Sequence, residues 1–306
     1  QALAAYWDRP SEEFLVGNGS TELIHLLPRA LGIKHLMLIG PTFSEYAEAM
    51  TRSGGQVSML LANRADGYRP PLETVRAALK QGRQPASDAP AIGAVLLCNP
   101  NSPTGQACEA EAVRTLARLA ARRGLWCIVD ESFAEYADHA SILSEPLPAR
   151  TIVLRSFTKF YGLPGLRVGY AMAKPAVIAG IAAQQPPWSV NMLAQRTAVA
   201  ALQDVRHAGR SLHFMERERA WFQTALTRLP GCTVFPSAAN FLLMELPVGQ
   251  KSTTVVAALR RKGLLIRDCS QVPGLNARSM RVAVRSRADN DRLLRALSVL
   301  LRGGGA

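Results

Sequence analysis

Three polar clusters stand where short apolar runs stop. Thr151-Ile-Val-Leu-Arg-Ser156 runs into Phe157-Thr158-Lys159. A lysine is ordinarily a solvated surface charge. One set directly behind an apolar run sits in a partly desolvated place, where its amine loses a proton readily and can form an imine. Leu125-Trp-Cys-Ile-Val-Asp130 brings a carboxylate, followed by Glu131, to the end of another run. Such a pair suits a metal ion, a cationic ring nitrogen or a helix cap, and alone the cap is the plainest reading. Leu15-Val16 leads into Gly17-Asn18-Gly19-Ser20-Thr21-Glu22 and a helix-like stretch from Leu23. The glycines permit a tight turn, and the first helical amides, with the hydroxyls of Ser20 and Thr21, make an anion site. The same residues read equally well as a capped helix after a glycine turn. They are no dinucleotide fingerprint, because Glu22 stands where the third glycine belongs. Pro164-Gly165-Leu166-Arg167-Val168-Gly169-Tyr170 adds an arginine that, with Ser156, can complete a phosphate site.

The surrounding pattern says what holds these groups. Strand-like runs at Leu36–Ile39, Val57–Leu61, Ala94–Cys98, Leu125–Val129, Thr151–Leu154 and Val168–Ala171 alternate with helix-like stretches at Ser44–Ser53 and Glu109–Arg123. That rhythm predicts an α/β fold with a mostly parallel sheet and helices on both faces, whose ligands gather beyond the carboxyl ends of the strands. The pattern changes near Pro186–Asn191. A long helical stretch, Met192–Leu229, precedes runs at Thr233–Phe235, Asn240–Glu245, Leu264–Arg267 and Met280–Val284 and helices near Thr253–Lys262 and Ala288–Leu301. The expected division is a large domain over residues 1–200 and a smaller α+β domain over 201–306. The end, Gly303-Gly304-Gly305-Ala306, is expected to be disordered.

Length and composition agree. The 306 residues are too many for one small core. No apolar run reaches the length of a membrane span, and the first residues lack the plan of a signal peptide. The five cysteines include no CxxC pair, which points to reduced thiols and a cytoplasmic protein. The histidines, His25, His35, His139, His207 and His213, show no metal-ligand spacing, so no metal is expected. The net charge of +13 raises the question of nucleic acid, but the 36 basic residues are dispersed and form no long run. A small anionic substrate fits that distribution better than a polyanion.

Taken in order, these motifs carry a family resemblance. Ser156-x-x-Lys159 followed by Gly165-Leu166-Arg167-x-Gly169, with Asn99-Pro-Asn-Ser-Pro-Thr-Gly105 and Asp130-Glu131 upstream, resembles the class I/II aminotransferase superfamily, the fold type I enzymes that use pyridoxal 5′-phosphate (PLP). The likeness runs from Gly17 to the last helix. It implies that Lys159 carries PLP as a Schiff base and Asp130 pairs with the cofactor's ring nitrogen. It further implies that Gly19, Ser20, Thr21, Ser156 and Arg167 hold the phosphate. Pro41-Thr-Phe-Ser-Glu-Tyr46 resembles the segment whose aromatic stacks on the ring, with Phe43 the first choice and Tyr46 the second. Two positions depart from the pattern. The asparagine that bonds the ring hydroxyl is replaced by Ser102, leaving Asn101 or Ser102 for that task. The tyrosine three residues after the aspartate is Phe133.

Pro187-Trp188-Ser189-Val190-Asn191, Ile266-Arg267-Asp-Cys-Ser270, Pro273-Gly274-Leu275 and Arg281-Val-Ala-Val-Arg285 resemble the branch that holds histidinol-phosphate aminotransferase and threonine-phosphate decarboxylase, and more closely its decarboxylase side. The resemblance implies decarboxylation of L-threonine O-3-phosphate in cobalamin biosynthesis, with transamination of histidinol phosphate or a similar amine as the alternative. Both substrates carry phosphate, which suits Arg267 and Arg281 as substrate clamps with Asn18 assisting. The resemblance also implies a homodimer and an arm formed by residues before the Gly17 motif, most of which this sequence is expected to lack.

Overall fold

The computed structural model describes residues 1–81 and 90–302. The glycine-rich end expected to be disordered lies outside the described residues. Seven strands form the larger sheet: β1 (Phe14–Gly17), β2 (His35–Gly40), β3 (Gln56–Leu61), β4 (Ala94–Cys98), β5 (Trp126–Asp130), β6 (Thr151–Ser156) and β7 (Gly169–Met172), in the order β1-β7-β6-β5-β4-β2-β3. The run from β6 to β3 is parallel, while β7 lies antiparallel between β1 and β6. One sheet edge therefore collects the carboxyl ends of β1, β2, β4, β5 and β6 together with the amino end of β7.

The central strands read as continuous apolar runs because both faces are covered. Alternate residues go to opposite sides. Met37, Val95, Leu97, Val129 and Val153 meet a layer that includes α1 (Ala2–Trp7), α4 (Leu72–Gln81), α5 (Ala110–Arg122) and α7 (Met192–Gln203). Leu36, Leu38, Leu96, Ile128 and Ile152 meet α2 (Gly19–Ala30), α3 (Glu45–Arg52) and α6 (Pro175–Ala182). The expected helices on both faces are present.

The smaller sheet is antiparallel throughout: β8 (Thr233–Val234), β9 (Phe241–Glu245), β10 (Arg267–Asp268) and β11 (Ser279–Ala283), in the order β10-β11-β9-β8. Leu242, Met244, Met280 and Val282 pack under α8 (Val205–Thr227), α9 (Ser252–Arg261) and α10 (Arg287–Arg302). The other face turns toward the larger sheet. There Leu243 packs with Ala62 and Tyr68, and Phe241 meets Phe133 edge to face at 5.1 Å. Glu245, fully buried, accepts hydrogen bonds from Arg64 Nε (2.9 Å), Tyr68 (3.1 Å) and Arg278 Nη2 (3.1 Å). This carboxylate ties the loop after β3 to the smaller sheet.

Two expectations change in detail. The run at Val168–Ala171 is a strand, but an antiparallel one. The stretch Met192–Leu229 is two helices, α7 and α8, divided at Asp204, whose side chain accepts from the His207 N–H at 2.9 Å and caps α8. Among the described residues no helix is long and apolar enough to cross a membrane, and no cluster of three metal-ligating side chains occurs.

Candidate active site

The turn Gly17–Ser20 rests on β7. In the sheet Gly169 lies between Gly17 and Ser156. A Cβ at Gly169 would stand 2.5 Å from the Ser20 nitrogen, so only glycine lets the first turn of α2 approach this closely. No side chain caps α2 at Asn18, which leaves its first amides free at the positive end of the helix. Glu22 accepts from the Asn18 N–H at 2.7 Å and closes the turn, a use for the residue that breaks the dinucleotide pattern. Arg167 has a φ of 60°, a left-handed conformation rare outside glycine, and its guanidinium reaches the Gly19 backbone, where a Cβ would lie 2.6 Å from Nη2. Ser156 donates to Thr158 at 2.7 Å, so two hydroxyls face the same place.

Asp130 is 3% exposed at the end of β5. Its Oδ1 accepts from the Ser132 N–H at 2.9 Å and its Oδ2 from the Tyr46 hydroxyl at 2.8 Å. Lys159 follows β6 in a turn, with Nζ 5.5 Å from the centre of the Phe133 ring. The residue stands in an open cavity and is reached by solvent, yet enough protein surrounds the amine to desolvate it. That desolvation, with Arg281 and Arg167 adding repulsion and Asp130 opposing, lowers its pKa from the ordinary lysine value.

These groups line one cavity of about 140 Å³: Ser20, Thr21, Ser156 and Arg167 at one side, Asp130, Tyr46 and Cys98 beneath, and Lys159, Phe43 and Phe133 around it. Phe43, Ser102 and Arg281 also belong to a second cavity of about 380 Å³, whose lining includes Arg267, Gln271 and Pro273. The two spaces therefore meet at those three residues. Arg281 Nη1 donates to Ser102 Oγ at 2.8 Å, and burial lowers the pKa of its guanidinium. A larger cavity of about 620 Å³ lies between α1, α7 and Gln185–Val190, but no acidic or basic side chain lines it.

Most of the residues singled out in the sequence thus converge on the two cavities, and three do not line them. Asn18 is exposed and outside both linings, Gly19 lies behind Arg167, and Asn101 is buried with its amide fully engaged. Asn101 Oδ1 accepts from Thr42, and its Nδ2 donates to the Pro41 carbonyl and to Thr104. Between Asn101 and Ser102, only Ser102 faces the cavity. Tyr46, the second choice for stacking, instead reaches Asp130 from below. Thr158, Ser132 and Cys98 were not singled out, although the hydroxyl of Thr158, one residue before Lys159, belongs to the same motif. An anion cup, a buried carboxylate and an amine of lowered pKa fit a group that carries a phosphate, a basic ring nitrogen and an aldehyde, the three features of PLP.

Comparison with known proteins agrees with that donor set. The family model for aminotransferase class I and II matches residues 1–297. Threonine-phosphate decarboxylase of Salmonella typhimurium is 36% identical, the alignment covering 99% of this chain and 81% of the relative. Histidinol-phosphate aminotransferase of Desulfitobacterium hafniense is 30% identical over 99% and 81%. The crystal structure of histidinol-phosphate aminotransferase from Clostridium acetobutylicum superposes with a TM-score of 0.88 at 25% identity, covering 99% of this chain and 87% of that one. The fold is that of the fold type I PLP enzymes, and the chain belongs to the aminotransferase class I and II family.

Proposed function

We propose that the chain decarboxylates L-threonine O-3-phosphate to 1-amino-2-propanol phosphate, a step of cobalamin biosynthesis, with PLP bound in the smaller cavity. The observation that carries this reading is the joined pair of cavities. The smaller holds Lys159, Asp130 and an anion cup, and the larger is lined by two guanidinium groups, Arg267 and Arg281, that form no ion pair among the described residues. Asp268 also lines the larger cavity, its carboxylate engaged by Ser252 and Ser270, and a substrate with a carboxylate and a phosphate supplies a direct anionic partner for each guanidinium. The 36% identity to a threonine-phosphate decarboxylase supports the same choice.

In this reading Ser20, Thr21, Ser156 and Arg167 grip the cofactor phosphate with the Gly19 turn behind them. Asp130 faces the ring nitrogen, Phe43 covers the ring, and Ser102 meets the ring hydroxyl. When bound, PLP supplies an electron-withdrawing ring that accepts the electron pair of the bond broken at Cα. Arg281 would take the carboxylate and Arg267 the phosphate, and together they would set which bond at Cα is aligned for cleavage. With the carboxylate so aligned, CO₂ would leave and Lys159 Nζ would return a proton to Cα. With the Cα–H so aligned, Lys159 Nζ would remove that proton, as transamination requires. The second reading, an aminotransferase of histidinol phosphate, uses the same residues and is favoured by the 30% identity to such an enzyme. The proposal includes a cytoplasmic homodimer; the exposed apolar side chains of Trp188, Met192 and Leu193 are in keeping with a second copy.

The test is to incubate the PLP-loaded protein with L-threonine O-3-phosphate and no keto acid. CO₂ and aminopropanol phosphate formed over many turnovers, and lost in Lys159→Ala, support the decarboxylase. No CO₂, with amino transfer from histidinol phosphate once 2-oxoglutarate is added, selects the aminotransferase.

A further inference from the structure

Tyr46 stands in the first turn of α3, a helix that contributes no other side chain to the smaller cavity. It is 2% exposed, so its ring belongs to the core beneath the cavity, where Leu38, Leu96 and Ile128 also pack. Phe43, one turn before it, is 39% exposed and meets the Tyr46 ring edge to face at 5.6 Å. The two aromatics of the Pro41–Tyr46 segment therefore take different places, one on the cavity wall and one under its floor.

Asp130 has two protein hydrogen bonds, the Ser132 N–H on Oδ1 and the Tyr46 hydroxyl on Oδ2 at 2.8 Å. One bond to each oxygen, from fixed donors, holds the plane of the carboxylate. We propose that Tyr46 is a positioning residue for Asp130, its hydroxyl setting the orientation in which the carboxylate presents its remaining lone pairs to a cationic ring nitrogen in the cavity. Burial and the nearby Asp130 and Cys98 push the phenol pKa well above its ordinary value, so the hydroxyl stays a donor throughout the working pH range. Phe133 offers no hydroxyl on its side of the cavity, which leaves Tyr46 the tyrosine in this lining. The inference rests on the cofactor reading above.

The experiment compares wild type, Tyr46→Phe, Asp130→Asn and the double variant, each loaded with PLP and dialysed to equilibrium, with retained cofactor read by its visible absorbance. Tyr46→Phe keeps the ring in the core and removes only the donor. A hydrogen bond to a charged partner predicts that Tyr46→Phe weakens PLP binding about tenfold. Asp130→Asn weakens it further, and adding Tyr46→Phe to Asp130→Asn then changes it by less than about twofold, because the group through which Tyr46 acts is gone. A full tenfold loss that persists in the Asp130→Asn background, or no loss in either background, overturns the inference. Wild type that retains no PLP overturns the cofactor reading itself, which the other outcomes leave standing.

Discussion

Arg281 Nη1 donates a 2.8 Å hydrogen bond to Ser102 Oγ across the neck between the two cavities. Arg281 stands on β11 of the smaller sheet and Ser102 in the loop after β4 of the larger one, so the contact joins the two halves where the chemistry is placed. The guanidinium also lies 4.6 Å above the Phe241 ring. It is thus braced from behind while its other N–H groups remain for an anion. Arg281→Lys keeps the charge and loses the planar fork. Its expected effect is a rise in KM for L-threonine O-3-phosphate and a fall in kcat/KM of about a hundredfold, with PLP retained. Steady-state kinetics beside a cofactor absorbance spectrum decides this.

Two glycines of the Gly165–Gly169 stretch differ sharply in the space around them. A methyl at Gly169 meets the Ser20 nitrogen at 2.5 Å and the Arg155 carbonyl at 2.8 Å, both backbone atoms that cannot step aside. A methyl at Gly165 meets nothing within 4 Å. Gly169→Ala should push α2 away from β7 and weaken PLP retention by about tenfold or more, an overpacking effect of roughly 1–3 kcal/mol. Gly165→Ala should bind PLP as wild type does. Equal behaviour of the two variants in a cofactor titration would contradict the cup described here.

Lys159 predicts a signed pH dependence of stability. Its folded-state pKa lies below the ordinary 10.5, chiefly through desolvation. Between the two values the unfolded chain binds more protons than the folded one, so this group's contribution to stability rises with pH across that window. Below it the partly desolvated ammonium opposes folding, an effect kept small by the solvent that reaches the residue. Cofactor-free Lys159→Met should therefore melt higher than cofactor-free wild type at neutral pH, and the difference should close as the pH approaches 10.5. Thermal melts across that pH range measure it.

Glu245 fixes the smaller sheet against the loop that follows β3. Its carboxylate is fully buried and meets Arg64, Tyr68 and Arg278. Glu245→Ala leaves the buried Tyr68 hydroxyl without its acceptor, while the more exposed Arg64 and Arg278 can turn to solvent, and should destabilise the protein by about 1–2 kcal/mol in urea unfolding. Because this bond set helps hold the sheet that carries Arg281, KM for the phosphorylated substrate should rise more than kcat falls.

Much of this arrangement is legible in the sequence because the chemistry sits where apolar runs stop. Asp130 ends β5 and Lys159 follows β6, and the sheet brings the ends of those strands to one edge. The direction of β7 is harder to read, yet its physical cause is visible. The twelve residues between Ser156 and Gly169 carry no helical pattern, whereas a parallel neighbour is usually reached through a crossover helix. The break at Asp204 is likewise an N-cap inside a continuous helical pattern. The choice between Asn101 and Ser102 is closed to the sequence, since neighbouring loop residues face opposite ways and only Thr42, Pro41 and Thr104 reveal that Asn101 is engaged elsewhere. The role of Tyr46 is closed for the same reason, because its partner lies 84 positions away.

The most direct test of the account is where the cofactor attaches. The PLP-loaded protein is reduced with borohydride, digested and mapped by mass spectrometry. The account predicts one pyridoxyl-phosphate adduct, on Lys159, and its disappearance in Lys159→Ala. An adduct on another lysine such as Lys34 or Lys174, or none on any peptide, would contradict it.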